Sequence, residues 1–323
     1  MMAMCLCATA RPWSEDVIYF AMTDRFRDAD TSNNIPKGSD PKLYDPTQKN
    51  INLYHGGDLR GLEKAIQSGY FNDLGVTALW LTPVLKNVWR SGYDLGGWKS
   101  GYHGYWTQDF KRINPRFLPL NDSPSIHQSQ TLKKLVDTLH NAGIKIILDV
   151  VCNHSSPDIN GAKGRLYDDG KLIADYYDDK NNFYYHNGEI TDWEDEYQLI
   201  NLEMCGLATF NERNIEYRQY IKSAIKQWLD IGVDALRVDT IKHMPIWFWQ
   251  EFSTEMKKHR PGLFLFGEYG FSKPWEQRSV EYANHAGMSI LDFGLCDAIR
   301  FAFSGREPGG FHQIDKILGF DHV

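Results

Sequence analysis

Short apolar runs alternate with stretches of helical periodicity along most of the chain. Val17 to Met22 reads as a strand, and Leu62, Ala65, Ile66, Gly69 and Tyr70 then recur at helical spacing. Ala78 to Leu81 is a second strand, stopped by Pro83. Leu132, Leu135, Val136 and Leu139 form a helix face that Gly143 ends. Lys145 to Val151 contains Ile-Ile-Leu and reads as a fully buried strand. Ile221, Ala224, Ile225, Trp228 and Leu229 make another helix face, closed by Gly232. Ala235 to Ile241 is a strand, followed by an aromatic helix from about Pro245. Leu263 to Phe266 and Met288 to Phe293 are further strands, the latter followed by a helix from about Cys296. Strands that are apolar throughout, rather than alternating, are covered on both faces, which predicts a parallel sheet. A barrel and a doubly wound sheet both fit this order. No GxGxxG or GxxxxGK[ST] motif occurs, which weakens the nucleotide-binding version.

One stretch breaks the rhythm. Residues 155 to about 211 are polar, rich in Asp, Asn, Gly and Tyr, and lack periodicity. A loop of this length is a functional element or a small subdomain, and it follows a strand, where barrel active-site loops project.

Composition narrows the field. The 323 residues are 42 % hydrophobic and 24 % charged, enough for a large core, with a net charge of −7 from 35 Lys and Arg against 42 Asp and Glu. No basic block stands out, which argues against a nucleic-acid partner. No apolar run of the length a membrane span needs occurs. Aromatic residues reach 14 %, which suits either core filling or sugar faces. Cys5, Cys7, Cys152, Cys205 and Cys296 are too scattered for a disulfide framework or a zinc site. Met1 to Ala10 is apolar and ends Ala8-Thr9-Ala10, like a signal cleavage site, but lacks a basic start. It reads as a degenerate signal of a secreted protein or as an unstructured tail, with residues 1–15 outside the main fold.

Three strand ends carry polar residues where apolar ones would be expected: Asp149-Val150-Val151-Cys152-Asn153-His154, Gly232 to Asp239, and Phe264-Leu265-Phe266-Gly267-Glu268. Side chains alternate along a strand, so Arg237 and Asp239 share one face. A buried arginine keeps a neighbouring carboxylate ionised, whereas a carboxyl after an apolar run, such as Glu268, is desolvated and holds its proton. One ionised and one protonated carboxyl form the pair that glycoside cleavage requires. A buried ion pair and a helix cap would be the plain structural alternatives.

Together these motifs resemble the α-amylase superfamily, glycoside hydrolase family 13, and most closely its bacterial and fungal α-amylases and cyclodextrin glucanotransferases. The resemblance runs from about Asp16 to Phe293. It includes Lys242-His243 after the second motif, Tyr102-His103-Gly104-Tyr105-Trp106, and Met288 to Phe293. It implies a (β/α)8-type barrel, of which about six of eight strands are accounted for, with the segment 155–211 inserted as a small irregular domain after the third barrel strand. The barrel would then comprise residues 16–154 and 212–323.

The resemblance implies roles as well. Asp239 would be the nucleophile, Glu268 the general acid and base, and Arg237 the partner that holds Asp239 ionised. His103 and His154 would bind the sugar under attack, Tyr105 would stack on it beside Trp106, and Lys242 and His243 would reach the leaving-group side. Substrate and partner would be an α-glucan, and the completed enzyme a monomer. Two calcium sites are implied. One joins Asn153, Asn201 and the carbonyl of His243; the other joins Asp28, Asp30, Asn33, Asn34, Gly56 and Asp58. Relatives usually carry Asp at the position matched to Asn201, so weaker binding is expected there. Tyr197 matches the central aromatic of transglycosylating relatives. Gly270, where they carry a second aromatic after Glu268, favours hydrolysis.

The family's fourth region, ending Asn-His-Asp, has no counterpart before Val323; Asp321-His322 has the reverse order. The expectation from this is an open barrel edge, weak activity and self-association.

Overall fold

The computed structural model describes residues 11–91, 99–304 and 310–320; Cys5, Cys7, Asp321 and His322 lie outside them. Ten strands are present among the described residues: β1 (Ile18–Ala21), β2 (Ala78–Leu81), β3 (Leu85–Asn87), β4 (Thr107–Ile113), β5 (Lys145–Val151), β6 (Leu166–Asp168), β7 (Lys171–Ala174), β8 (Ala235–Asp239), β9 (Phe264–Gly267) and β10 (Ser289–Ile290). Six of them form one parallel sheet in the order β1-β2-β5-β8-β9-β10, with helices in the connections. The parallel α/β architecture expected from the apolar strands is therefore present as an incomplete barrel, open between β1 and β10.

Alternation sorts the side chains. Leu79, Leu81, Leu148, Val150, Leu236, Val238 and Leu265 point outward into the main core beneath the helices. Ala78, Ile147, Ala235 and Phe266 point inward and pack with Trp13, Trp80 and Phe264. Trp13 stacks on Phe264 at 5.0 Å, and the buried Lys145–Asp16 pair sits at the same N-terminal end. Register then sets what lies above this apolar floor. Ile147 pairs with Ala235, and two residues further on Asp149 lies directly opposite Arg237. The interior thus passes from apolar to charged toward the C-terminal strand ends, where barrels of this kind carry their chemistry.

Three strands are shorter than the pattern predicts, β1 by one residue at each end. β8 stops at Asp239 because Thr240 takes a left-handed conformation (φ 48°) and a 3-10 turn, Ile241–His243, follows. A β-branched residue in that region is strained, and such strain is held where the surroundings over-determine it. β10 covers only Ser289–Ile290, since Asp292 caps the helix Phe293–Phe303 by accepting from Leu295 N at 2.7 Å.

The polar stretch 155–211 has more order than its sequence suggests. It contributes β6, β7 and the helix Glu196–Asn201. β6 pairs with β4, so a second sheet, β3-β4-β6-β7, joins this stretch to the loop after β2. Buried Lys163 and Glu203, 2.5 Å apart, tie its two ends together.

Candidate active site

Four side chains meet at the C-terminal ends of β5, β8 and β9. Arg237 Nη1 donates to Asp149 Oδ1 at 2.8 Å and to Asp239 Oδ1 at 2.7 Å, while Nη2 lies 2.7 Å from Glu268 Oε2. Burial works against the Arg237 charge, but Asp149, Asp239 and Glu268 outweigh it and raise its pKa. Glu268 is raised above the ordinary glutamate value, chiefly by burial and further by Asp239, against the pull of Arg237. Burial also pushes Asp149 up. Yet Arg237, Tyr105 Oη at 2.9 Å and Trp80 Nε1 at 3.0 Å all donate to it, which is the environment of a carboxylate.

Asp149 and Trp80 are the residues that sequence reasoning passed over. The motif containing Asp149 was visible, but its role follows from lying opposite Arg237. Trp80 reads as core until its indole N–H is seen to meet Asp149.

His103 and His154 are both lowered to about 4 by burial, so they are neutral imidazoles near pH 7. Tyr105 N donates to His103 Nδ1 at 3.1 Å, leaving Nε2–H free to donate. Asn153 Nδ2 stands 3.4 Å from His154 Nδ1. The Tyr105 ring stacks on His103 at 5.7 Å, and Trp106 meets His103 edge-on at 4.4 Å. Gly104 is required here: a Cβ would lie 2.0 Å from Pro83 O. His243 is likewise lowered to about 4 by burial, and its Nδ1–H donates to Leu199 O at 2.9 Å, which joins the polar stretch to the turn after β8. Lys242 Nζ reaches Gly270 O at 3.4 Å.

Residues 20–293 match the family described as Alpha amylase, catalytic domain. The chain belongs to this alpha-amylase family. A cyclomaltodextrin glucanotransferase of Niallia circulans is 40 % identical over 312 residues, 95 % of this chain and 41 % of that protein. An alpha-amylase of Niallia circulans is 37 % identical over 298 residues, 90 % of this chain and 54 % of that protein. Among solved structures, a cyclomaltodextrin glucanotransferase with a three-domain ABC distribution superposes with a TM-score of 0.86 at 34 % identity, covering 95 % of this chain and 61 % of that one. An alpha-amylase from Geobacillus thermoleovorans, complexed with acarbose, gives a TM-score of 0.73 at 30 % identity, covering 97 % and 59 %. The chain thus spans less than two thirds of the length of these relatives.

Within this amylase-family chain, two oxygen-rich sets fit a hard cation unequally. Asp28 Oδ1, Asn33 Oδ1 and Asn34 Oδ1 are buried and without a hydrogen-bond partner. Asn34 and Asp28 crowd Gly56, where a Cβ would come within 2.4 Å of Asn34 Oδ1 and 2.8 Å of Asp28 Oδ2. Asp58 and Asp30 from the same set are committed elsewhere. Asp58 caps the helix Leu59–Gln67 through Gly61 N at 2.6 Å and accepts from Asp30 N at 2.9 Å; Asp30 accepts from Ser32 N and pairs with Arg60. These two carboxylates shape the loop because its backbone N–H groups reach them first. In the other set, Asn153 Oδ1 is buried without a partner, while Asn201 Nδ2 donates to Tyr197 O at 2.9 Å. Among the described residues no three His, Cys, Asp or Glu side chains converge, so the first set would join the Asp28 carboxylate to amide and carbonyl oxygens, and the second would rely on amides and a carbonyl. Tyr197, the second residue of the helix Glu196–Asn201, is 64 % exposed, a ring presented to solvent.

Proposed function

We propose that the chain carries the machinery of a retaining enzyme that cleaves α-1,4-glucosidic bonds in starch-like glucans, as an alpha-amylase does. The observation that carries this reading is one guanidinium, Arg237, spanning Asp239 and Glu268 at adjacent strand ends. A shared partner holds the two carboxyls close, as in the covalent route; an inverting enzyme keeps them farther apart to admit a water. Asp239 attacks the anomeric carbon while Glu268 gives its proton to the departing oxygen. Glu268 then takes a proton from water, which displaces Asp239 and returns the α configuration. Tyr105 stacks on the sugar under attack beside Trp106. His103 and His154 donate Nε2–H to its hydroxyls, and Lys242 and His243 face the leaving group. The test is incubation with soluble starch, following reducing ends and the anomer first released by NMR. Release of the α anomer is expected; a β anomer first, or no cleavage, would refute the reading.

Transfer to a sugar acceptor is the second reading. The exposed ring of Tyr197 and the similarity to glucanotransferases favour it.

Calcium belongs to the proposal. Asp28, Asn33, Asn34 and the backbone at Gly56 would hold one ion. Asn153, with Asn201 and the His243 carbonyl, would hold another. Each would supply a fixed charge that ties loops to the barrel. A ligand bound only by the folded state stabilises it by about 2.7 kcal/mol at a hundredfold excess over Kd. Excess chelator is therefore expected to lower the melting temperature by several degrees, restored by added calcium. An unchanged melting curve would count against both sites. The α-glucan is the proposed partner.

A further inference from the structure

A cavity of about 240 Å3 lies on the second sheet, where β3, β4 and β6 meet. Lys86, Gln108, Asp109, Arg112, Tyr167 and Gly170 help to line it, and none of them belongs to the candidate active site. Its chemistry is one-sided, because four of these side chains carry hydrogen-bond donors. Among the described residues the Gln108 amide and the Tyr167 hydroxyl meet no acceptor, and Arg112 commits only Nε, to Asp169 at 3.0 Å. Lys86 Nζ donates to Asn87 O at 3.0 Å and lies over the Trp89 ring at 3.8 Å, and no carboxylate among the described residues forms an ion pair with it. Asp109 stands directly opposite Lys86 in the β3–β4 register. Yet its two oxygens accept from Lys111 N at 3.0 Å and from Gly170 N at 2.7 Å. Backbone N–H groups reach this carboxylate first, as they do at Asp30 and Asp58.

Burial lowers Lys86 to about 8, helped by Arg116 and Arg112 and opposed by Asp109. A desolvated ammonium without a counter-charge is costly, and a ligand that brings one removes that cost. Gly170 leaves Arg112 its place, since a Cβ there would lie 2.7 Å from Nη1. A cavity with donors in excess and its one carboxylate already engaged selects acceptor groups, and its two cations select an anion. We propose that this cavity binds an oxyanion of the phosphate class, free or carried by a small sugar, with Lys86 and Arg112 as its charged ligands. The site is independent of the reaction read from Asp239 and Glu268. Because β3, β4 and β6 all border it, a bound anion ties the loop after β2 to the polar stretch after β5.

The test is calorimetric titration of inorganic phosphate, and separately of glucose 1-phosphate, into the whole chain and into Lys86→Met, Lys86→Arg and Arg112→Met. Sodium chloride holds the ionic strength constant, so that unspecific attraction is screened alike throughout. The parent is expected to bind at a single saturable site. Lys86→Met and Arg112→Met should each weaken binding about tenfold, while Lys86→Arg keeps it within about threefold. Tighter binding of glucose 1-phosphate than of phosphate, lost in Lys86→Met, would assign a phosphorylated sugar; equal binding lost in the same variant would assign the free oxyanion. No saturable binding of either probe by the parent would overturn the site. So would a Lys86→Met variant that binds like the parent. Should Lys86→Met fail to fold, Arg112→Met binding like the parent would overturn it equally.

Discussion

Asp239→Asn and Glu268→Gln each lower starch cleavage by about a thousandfold or more, since removing one member of a catalytic unit costs nearly as much as removing all. Amides keep the shape and the hydrogen bonds but abolish the attack in one case and the proton transfer in the other. The two defects differ in kind. With an activated donor whose leaving group needs no proton, Glu268→Gln recovers the first half-reaction and accumulates the glycosyl-enzyme, whereas Asp239→Asn does not. The pH profile follows from the raised pKa of Glu268, which burial and Asp239 hold above the ordinary value against Arg237. Its proton is therefore retained to higher pH than a free glutamate's, and activity falls as pH rises through that raised value. Steady-state rates of both variants on starch check the assignment. Either variant retaining more than about a tenth of parental activity would refute it.

Arg237→Leu is expected to destabilise the fold by about 3–5 kcal/mol at pH 7, the usual consequence of removing one partner from a buried charge network. Asp149, Asp239 and Glu268 would then face one another without a cation, and Asp149 is wholly enclosed. The sign of the pH dependence follows. Burial already raises the Asp149 carboxyl, and loss of Arg237 removes the largest influence lowering it. A carboxyl whose pKa is raised on folding stabilises below its unfolded value and loses that contribution as pH rises. The deficit of Arg237→Leu should therefore be smaller at pH 5 than at pH 7. Urea midpoints at the two pH values measure it. A deficit under about 1 kcal/mol, or one that does not vary with pH, would mean that the guanidinium is not what holds these carboxyls together.

Much of the candidate site was legible because its cues are local. The period of two along Ala235–Asp239 puts Arg237 and Asp239 on one face whatever the surroundings. The apolar run Ile146-Ile147-Leu148 on a strand buried throughout implies cover on both faces and so a parallel sheet. Glu268 follows an apolar run, and that run desolvates it. The motifs around these residues were enough to anticipate the family.

Other features depend on which segments meet. Asp149 faces Arg237 through a register between strands 88 residues apart, and nothing local in either strand states that register. Trp80 becomes a donor to Asp149 only once β2 and β5 lie side by side. The polar stretch after β5 lacked periodicity because β6 and β7 are short and finish a sheet begun by β3 and β4. Asp28, Asp30, Asn34 and Asp58 are alike in type, yet only backbone geometry decides that Asp30 and Asp58 bind N–H groups while Asp28 Oδ1 and Asn34 Oδ1 stay unpaired. Phe271 and Trp275 look like core residues by type; it is the turn after Glu268 that sets them in solvent. The sequence by itself determined the strands, the inward faces and the candidate carboxyls, because these follow from short-range alternation and burial. The tertiary structure alone decided the partners of those carboxyls, because non-local pairing is set by the packing of the whole chain.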